Sequence, residues 1–161
     1  MRTLPRTGIG WLILFWGVGG VWLVLANPVF RLARTGLEAF EHPLGPLHWG
    51  FLVVWLVFML YAEGWRGFHK QFAPRVVVRA LALANAPRLG PAIFAPLTAM
   101  GLIHATRKRK IVSRSLLAGI VLIVIAVRQV EQPWRGLIDL GVTAGLGTGL
   151  LSVTGWFVAA L

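Results

Sequence analysis

The chain has 161 residues, of which 57% are hydrophobic and only 13% are charged. Soluble domains carry about 25% charged residues, so this composition excludes a soluble globular domain and a disordered chain. A sequence without cysteine also excludes a disulfide-stabilised scaffold. Eight tryptophans and 19 glycines are typical of membrane helices and their interfaces. The composition therefore predicts an all-α, multi-pass integral membrane protein of the cell (inner) membrane.

The charge balance indicates which partners to expect. Lysine and arginine number 16 against five acidic residues, which gives a formal net charge of +11 at pH 7. Such an excess in a soluble protein would suggest nucleic acid, but no nucleic-acid-binding module is recognisable here. Basic residues of membrane proteins collect in cytoplasmic loops and near anionic head groups. We therefore expect membrane lipid, and other membrane subunits, as partners, and no nucleic acid.

The first apolar stretch lies between Arg6 and Arg31 and predicts a span over residues 7–26. It resembles a signal peptide, but the apolar region of a signal peptide runs for only about 7 to 15 residues. This stretch is longer, so we expect a retained membrane helix. Asn27 and Pro28 then have the character of an N-cap and a first-turn proline. They predict a separate helix in the membrane interface over residues 28–41.

The second apolar stretch predicts a span over residues 47–63. Ala73 and Pro74 then predict a bend, since a residue before proline avoids helical geometry. Beyond it, Arg75 and Arg79 share one helical face, and apolar residues form the other. This pattern predicts a basic amphipathic helix over residues 74–85 at the membrane surface.

Residues 89–106 are long enough to cross a membrane but are interrupted by Pro91, Pro96 and Gly101. If they cross, the chain has five spans and much of its positive charge lies outside. If they enter and return, only four of the 16 basic residues lie outside, as the positive-inside bias requires. We therefore favour a re-entrant or half-spanning segment with four spans, and keep five spans as the alternative. The remaining two spans are predicted over residues 112–128 and 138–161.

Three glycines recur at intervals of four in the last predicted span, at Gly141, Gly145 and Gly149. Helices in lipid associate by close backbone approach over small residues. This glycine ridge predicts a helix-packing surface, which we expect to pack within the monomer rather than across a dimer.

Basic residues predicted on the inner side form a candidate site for lipid phosphates. Each positive charge near an anionic surface contributes about 1 kcal/mol. The same cluster can also be a plain topology signal without a bound ligand. Its members are Arg75, Arg79, Arg107, Lys108, Arg109, Lys110 and Arg114.

Glu63, His69 and His104 are the candidate catalytic residues, because ionisable groups at membrane depth are functional candidates by default. A re-entrant segment would bring His104 back to the inner end of the second span. Imidazole and carboxylate groups together can move protons or bind a metal, but no recognised metal or catalytic spacing is present. We therefore favour a non-catalytic accessory subunit or a lipid- or solute-handling protein. A small membrane enzyme or redox protein with haem or metal is the alternative.

Overall fold

The computed structural model describes residues 4–86, 89–102 and 125–161, and this part of the chain is helical without strands. Three long helical segments form a bundle, and two short helices pack beside it. The elements in chain order are α1 (Gly8–Glu38), a 3-10 turn (Ala39–Glu41), α2 (Pro46–Met59), a π-helix (Leu60–Phe72), α3 (Ala73–Asn85), α4 (Leu89–Ile93), α5 (Ala95–Met100) and α6 (Trp134–Val158).

Helix α1 begins at the N-cap Thr7, whose hydroxyl accepts a hydrogen bond from Gly10 N–H at 3.1 Å. It continues for 31 residues through Pro28. The helix break predicted at Asn27 is therefore wrong, and residues 28–38 are not a separate element. Packing explains the continuity, because Gly36 lies against Leu140 of α6. A proline inside a helix removes one backbone hydrogen bond. The contact of Gly36 with α6, beyond the proline, stabilises the helix on its far side.

The second long segment is one continuous helix of 40 residues, Pro46–Asn85, made of α2, the π-helix and α3. We call it the composite helix. The predicted bend at Pro74 does not interrupt it, since Pro74 lies in the first turn of α3, where its missing N–H costs little. The helix also continues well past Glu63, where the second span was predicted to end.

Helix α3 was predicted to lie on a membrane surface, but its apolar face is buried inside the protein. Val76, Val77 and Ala80 form one core with Leu14 and Val18 of α1. The close approach of the two helices requires a glycine, because a Cβ atom at Gly10 would lie 2.7 Å from the carbonyl oxygen of Ala84. The amphipathic pattern of α3 therefore reports packing against α1.

The contacts between long helices fix their relative directions. The start of α6 packs near the start of the composite helix, where Leu52 and Leu137 share a core. Further along both helices, the Trp156 indole N–H donates to His69 O at 3.2 Å. The composite helix and α6 therefore run parallel. Helix α1 runs antiparallel to both, since its Gly10 meets Ala84 and its Gly36 meets Leu140.

Helices α4 and α5 pack against the middle of α1. The Trp16 indole N–H donates to Ile93 O at 3.1 Å, and Pro96 fills the space over Gly20. Helix α5 ends at Gly101, which has a left-handed φ of 77°. The described part of the predicted segment 89–106 is thus two short helices, and its last four residues lie outside the described ranges.

Three described helices are long and apolar enough to cross a membrane: Gly8–Glu41, Pro46–Asn85 and Trp134–Val158. Their outward faces carry apolar side chains such as Leu12, Val54 and Leu151, which are 71%, 70% and 75% exposed. Most of the predicted span 112–128 lies outside the described residues. Its last four residues, 125–128, are described and are helical.

Candidate functional site

The glycine ridge lies on the buried face of α6 against the composite helix. Gly141 faces the indole ring of Trp55, Gly145 faces Glu63, and Gly149 faces the ring of Phe68. A Cβ atom at Gly149 would lie 2.8 Å from two carbon atoms of the Phe68 ring. The Trp55 indole N–H donates to Ile138 O at 3.0 Å, one turn before the ridge begins. Each glycine of the ridge therefore leaves the space that one large side chain of the composite helix occupies.

The π-helix explains how two of these side chains reach the same neighbour. Glu63 and Phe68 are five residues apart, and in an α-helix such residues point about 140° away from each other. A π-helix joins residues five apart by its hydrogen bonds, so both side chains point towards α6. Gly145 and Gly149, four residues apart on an α-helix, receive them. The π-helix extends over the 13 residues Leu60–Phe72.

Glu63 lies within the contact between the composite helix and α6. A Cβ atom at Gly145 would lie 2.6 Å from Glu63 Oε2 and 3.2 Å from its Cδ. That oxygen is buried and has no hydrogen-bond partner among the described residues. The next residue, Gly64, is buried against Thr148, whose hydroxyl donates to Ala144 O at 2.8 Å. Glu63 therefore lies inside the contact between two helices. The sequence had predicted it at the inner end of the second span.

His69 belongs to an aromatic cluster one to two turns further along the π-helix. Its ring stacks on Trp65 with centroids 4.6 Å apart and an angle of 12° between planes, and Trp156 of α6 lies 6.1 Å away. Lys70 Nζ lies 5.4 Å from the centre of the Trp65 ring, in a cation–π contact. The imidazole is thus held between two indoles.

An open groove of about 380 Å³ runs from Thr148 to this aromatic cluster. Thr148, Ser152 and Trp156 line it at intervals of four along α6, and His69 lines it from the composite helix. We call it the α6 groove. Its remaining lining residues are Leu151, Gly155 and Ala159.

A second groove of about 290 Å³ lies between the composite helix and the end of α5. Gln71, Arg75 and Arg79 supply its polar side, and Phe72, Val76 and Met100 supply apolar surface. We call it the basic groove. Arg79 lies over Gly101, where a Cβ atom would overlap its guanidinium group, and its Nη1 donates to Ala99 O at 3.4 Å. Arg75 is exposed.

Charges are unevenly distributed between the two ends of the bundle. At the N-terminal end, where α1 begins, the described residues include basic side chains and no acidic ones. Acidic and basic residues are balanced at the opposite end. The N-terminal group is Arg6, Arg66, Lys70, Arg75 and Arg79, and the opposite group is Arg31, Arg34, Arg128 and Arg135 with Glu38, Glu41, Glu131 and Asp139.

Several predicted site residues lie outside the described ranges: His104, Arg107, Lys108, Arg109, Lys110 and Arg114. Glu63 and His69 lie on the same helix, and both contact α6. Sequence reasoning did not identify Thr148, Ser152 and Trp156 as their neighbours. Their spacing of four along α6, the same as that of the glycine ridge, is the sequence signal by which they could have been found. Within the described part of the chain, no three His, Asp or Glu side chains cluster as a metal ion would require.

No protein-family model, curated protein or solved structure matches the chain.

Proposed function

We propose that the chain is a non-catalytic, multi-pass protein of the cell membrane that binds anionic lipid head groups at the basic groove. The observation that carries this proposal is the position of Arg75 and Arg79 beside apolar surface at the end of the bundle that lacks acidic residues. Such a protein acts as an accessory subunit of a membrane complex or in handling lipid.

The spacing of the tryptophans supports a membrane-spanning bundle. Trp134 begins α6, and Trp156 lies near its end, 22 positions further along the chain. At 1.5 Å per residue they are about 33 Å apart, close to the bilayer core of about 30 Å. Aromatic side chains surround both, with His48 4.5 Å from Trp134 and His69 6.1 Å from Trp156. Paired aromatic belts of this kind are typical of membrane proteins.

The helix directions support four spans rather than five. Because the composite helix and α6 run parallel, residues 86–133 must return the chain to the opposite end before α6 begins. One crossing by residues 112–128 and a re-entrant segment 89–106 would achieve this. Two crossings would leave α6 antiparallel to the composite helix.

The uneven charge distribution supports a cytoplasmic location for the N-terminal end. Lysine and arginine are enriched on the cytoplasmic side of membrane proteins, and acidic residues contribute little to this bias. The predicted basic run Arg107–Lys110 would lie on the same side in the four-span arrangement. The basic groove would then face the leaflet whose surface potential is negative.

The basic groove has the chemistry that a phospholipid requires. A guanidinium group donates several hydrogen bonds in one plane and binds phosphate oxygens in pairs. Arg75 is exposed and can turn towards a phosphate, whereas Arg79 also supports the end of α5. Phe72, Val76 and Met100 offer apolar contact to an acyl chain.

The test is retention of phosphatidylglycerol by Arg75→Gln, measured by native mass spectrometry of the protein released from micelles. Losing one charge near an anionic surface costs about 1 kcal/mol, or roughly a fivefold loss in affinity. Arg75→Lys should retain most of the lipid. Arg34→Gln, an exposed arginine at the opposite end, is the matched control. Equal retention by Arg75→Gln and Arg34→Gln would refute lipid binding at the basic groove.

A further inference from the structure

Glu63 lies between the two aromatic belts, nearer to the N-terminal one. Its carboxyl group contacts Gly145, in the middle of α6. Along the composite helix Glu63 is 15 residues from His48 and six residues from His69, the ring partners of Trp134 and Trp156. At up to 1.5 Å per residue, these separations are about 22 Å and about 9 Å. In the topology proposed above, the carboxyl group therefore lies inside the bilayer.

A carboxylate at this depth needs a counter-charge, and none of the described residues supplies one. Helix α6 has no ionisable side chain closer to Gly145 than Asp139, and α1 has none between Arg6 and Arg31. On the composite helix, Arg66 and Lys70 are exposed, and His69 is stacked on Trp65. Charged groups buried without a partner are far costlier than neutral ones. The neutral, protonated acid is the form that this environment favours.

Thr148 connects the surroundings of Glu63 with the α6 groove, although Glu63 itself does not line the groove. Thr148 packs against Gly64, the residue next to Glu63, and also lines the groove. Ser152 follows one turn later, and His69 lies at the N-terminal end of the same groove. Hydroxyl and imidazole groups both donate and accept hydrogen bonds, so water molecules among them can pass a proton along.

We propose that Glu63 is a proton-binding site inside the membrane-spanning part of the bundle, connected to the N-terminal side through the α6 groove. The carboxyl group releases one proton to water in the groove and becomes a carboxylate, and it takes one proton from the same water to become neutral again. No other bond is made or broken. This inference rests on the proposed membrane topology and is independent of lipid binding at the basic groove.

The first experiment uses dicyclohexylcarbodiimide, an apolar reagent that adds to protonated carboxyl groups and rearranges to a stable N-acylurea. The full-length protein in liposomes should be labelled at Glu63 at neutral pH, as mapped by mass spectrometry of its peptides. Labelling should be lost in Glu63→Gln and should fall as the pH is raised. The exposed Glu38 and Glu131 are internal controls and should stay unlabelled.

Two results would overturn the proton site. One is the absence of an adduct on Glu63 in the parent protein, which needs no variant and so does not depend on variant folding. The other is protection by sodium chloride relative to choline chloride, which would indicate a metal-cation site instead. Loss of lipid retention in Arg75→Gln would leave both results unchanged, so the two proposals can fail separately.

The second experiment tests the route. Infrared difference spectra of the parent against Glu63→Gln should contain a neutral carboxyl band that shifts after transfer to heavy water. Thr148→Val, which keeps the side-chain shape and removes the hydroxyl, should slow this shift severalfold. Thr154→Val is the matched control, because Thr154 also donates to the carbonyl four residues before it but is exposed and lies outside the groove. Equal exchange rates in the two variants would overturn the groove as the route.

Discussion

Replacing Gly149 by alanine should destabilise the bundle, although alanine normally favours helices. The added methyl group would lie 2.8 Å from two carbon atoms of the Phe68 ring and 3.0 Å from a third. These are atoms near the attachment point of the ring, which also packs edge to face with Phe72, with ring centroids 5.4 Å apart. Overpacking of this kind costs about 1 to 3 kcal/mol. For a chain of this size, that corresponds to a Tm lower by about 2 to 12 °C.

Gly147→Ala is the matched control, because it makes the same change two residues away on the same helix. A Cβ atom at Gly147 meets nothing within 4 Å. Only helix propensity then acts, and it favours alanine over glycine by up to about 1 kcal/mol. Thermal unfolding of both variants in the same mild detergent measures the difference. A Tm for Gly149→Ala equal to or above that of Gly147→Ala would refute the argument that Phe68 packs on the glycine ridge.

Two further predictions concern the helix ends. Trp156→Phe should lower the free energy of unfolding by about 0.5 to 1.5 kcal/mol, because it removes the indole N–H that donates to His69 O. An equal loss in Trp49→Phe, which changes an exposed tryptophan, would contradict a stabilising role for that hydrogen bond. Single cysteines introduced into the naturally cysteine-free chain report topology by labelling with a membrane-impermeant maleimide. His42→Cys should be labelled from the side opposite to Asn85→Cys and Leu161→Cys, and labelling of the last two from different sides would refute the four-span arrangement.

The helical class and much of the helix placement could be predicted from the sequence. Two of the three long helices correspond to apolar stretches that follow a charged residue. Arg6 precedes α1, and Asp139 precedes most of α6. Charged side chains are costly inside a bilayer, so such stretches are visible in the sequence. The spacing of the glycine ridge indicated a packing surface, because small residues let the backbones of membrane helices approach closely. These signals are local, and each depends only on neighbouring residues.

Features that depend on contacts distant in sequence could not be predicted in this way. Pro28 has the local signature of a helix start, but packing of Gly36 on α6 carries the helix through it. The apolar face of α3 suits a membrane surface as well as it suits α1, and periodicity does not distinguish them. Glu63 was expected at the inner end of the second span because it is the first charge after the apolar stretch, whereas the π-helix turns it towards Gly145.

The parallel arrangement of the composite helix and α6 also has a consequence for biosynthesis. Glu63 is made 82 residues before Gly145, its neighbour in the finished protein. At about 5 to 20 residues per second, the ribosome needs roughly 4 to 16 s to reach that glycine. Trp55, Glu63 and Phe68 are therefore synthesised before the surface of α6 that they contact. Until α6 has been made, Glu63 lacks the neighbour that covers its carboxyl group, and the three long helices cannot complete their contacts.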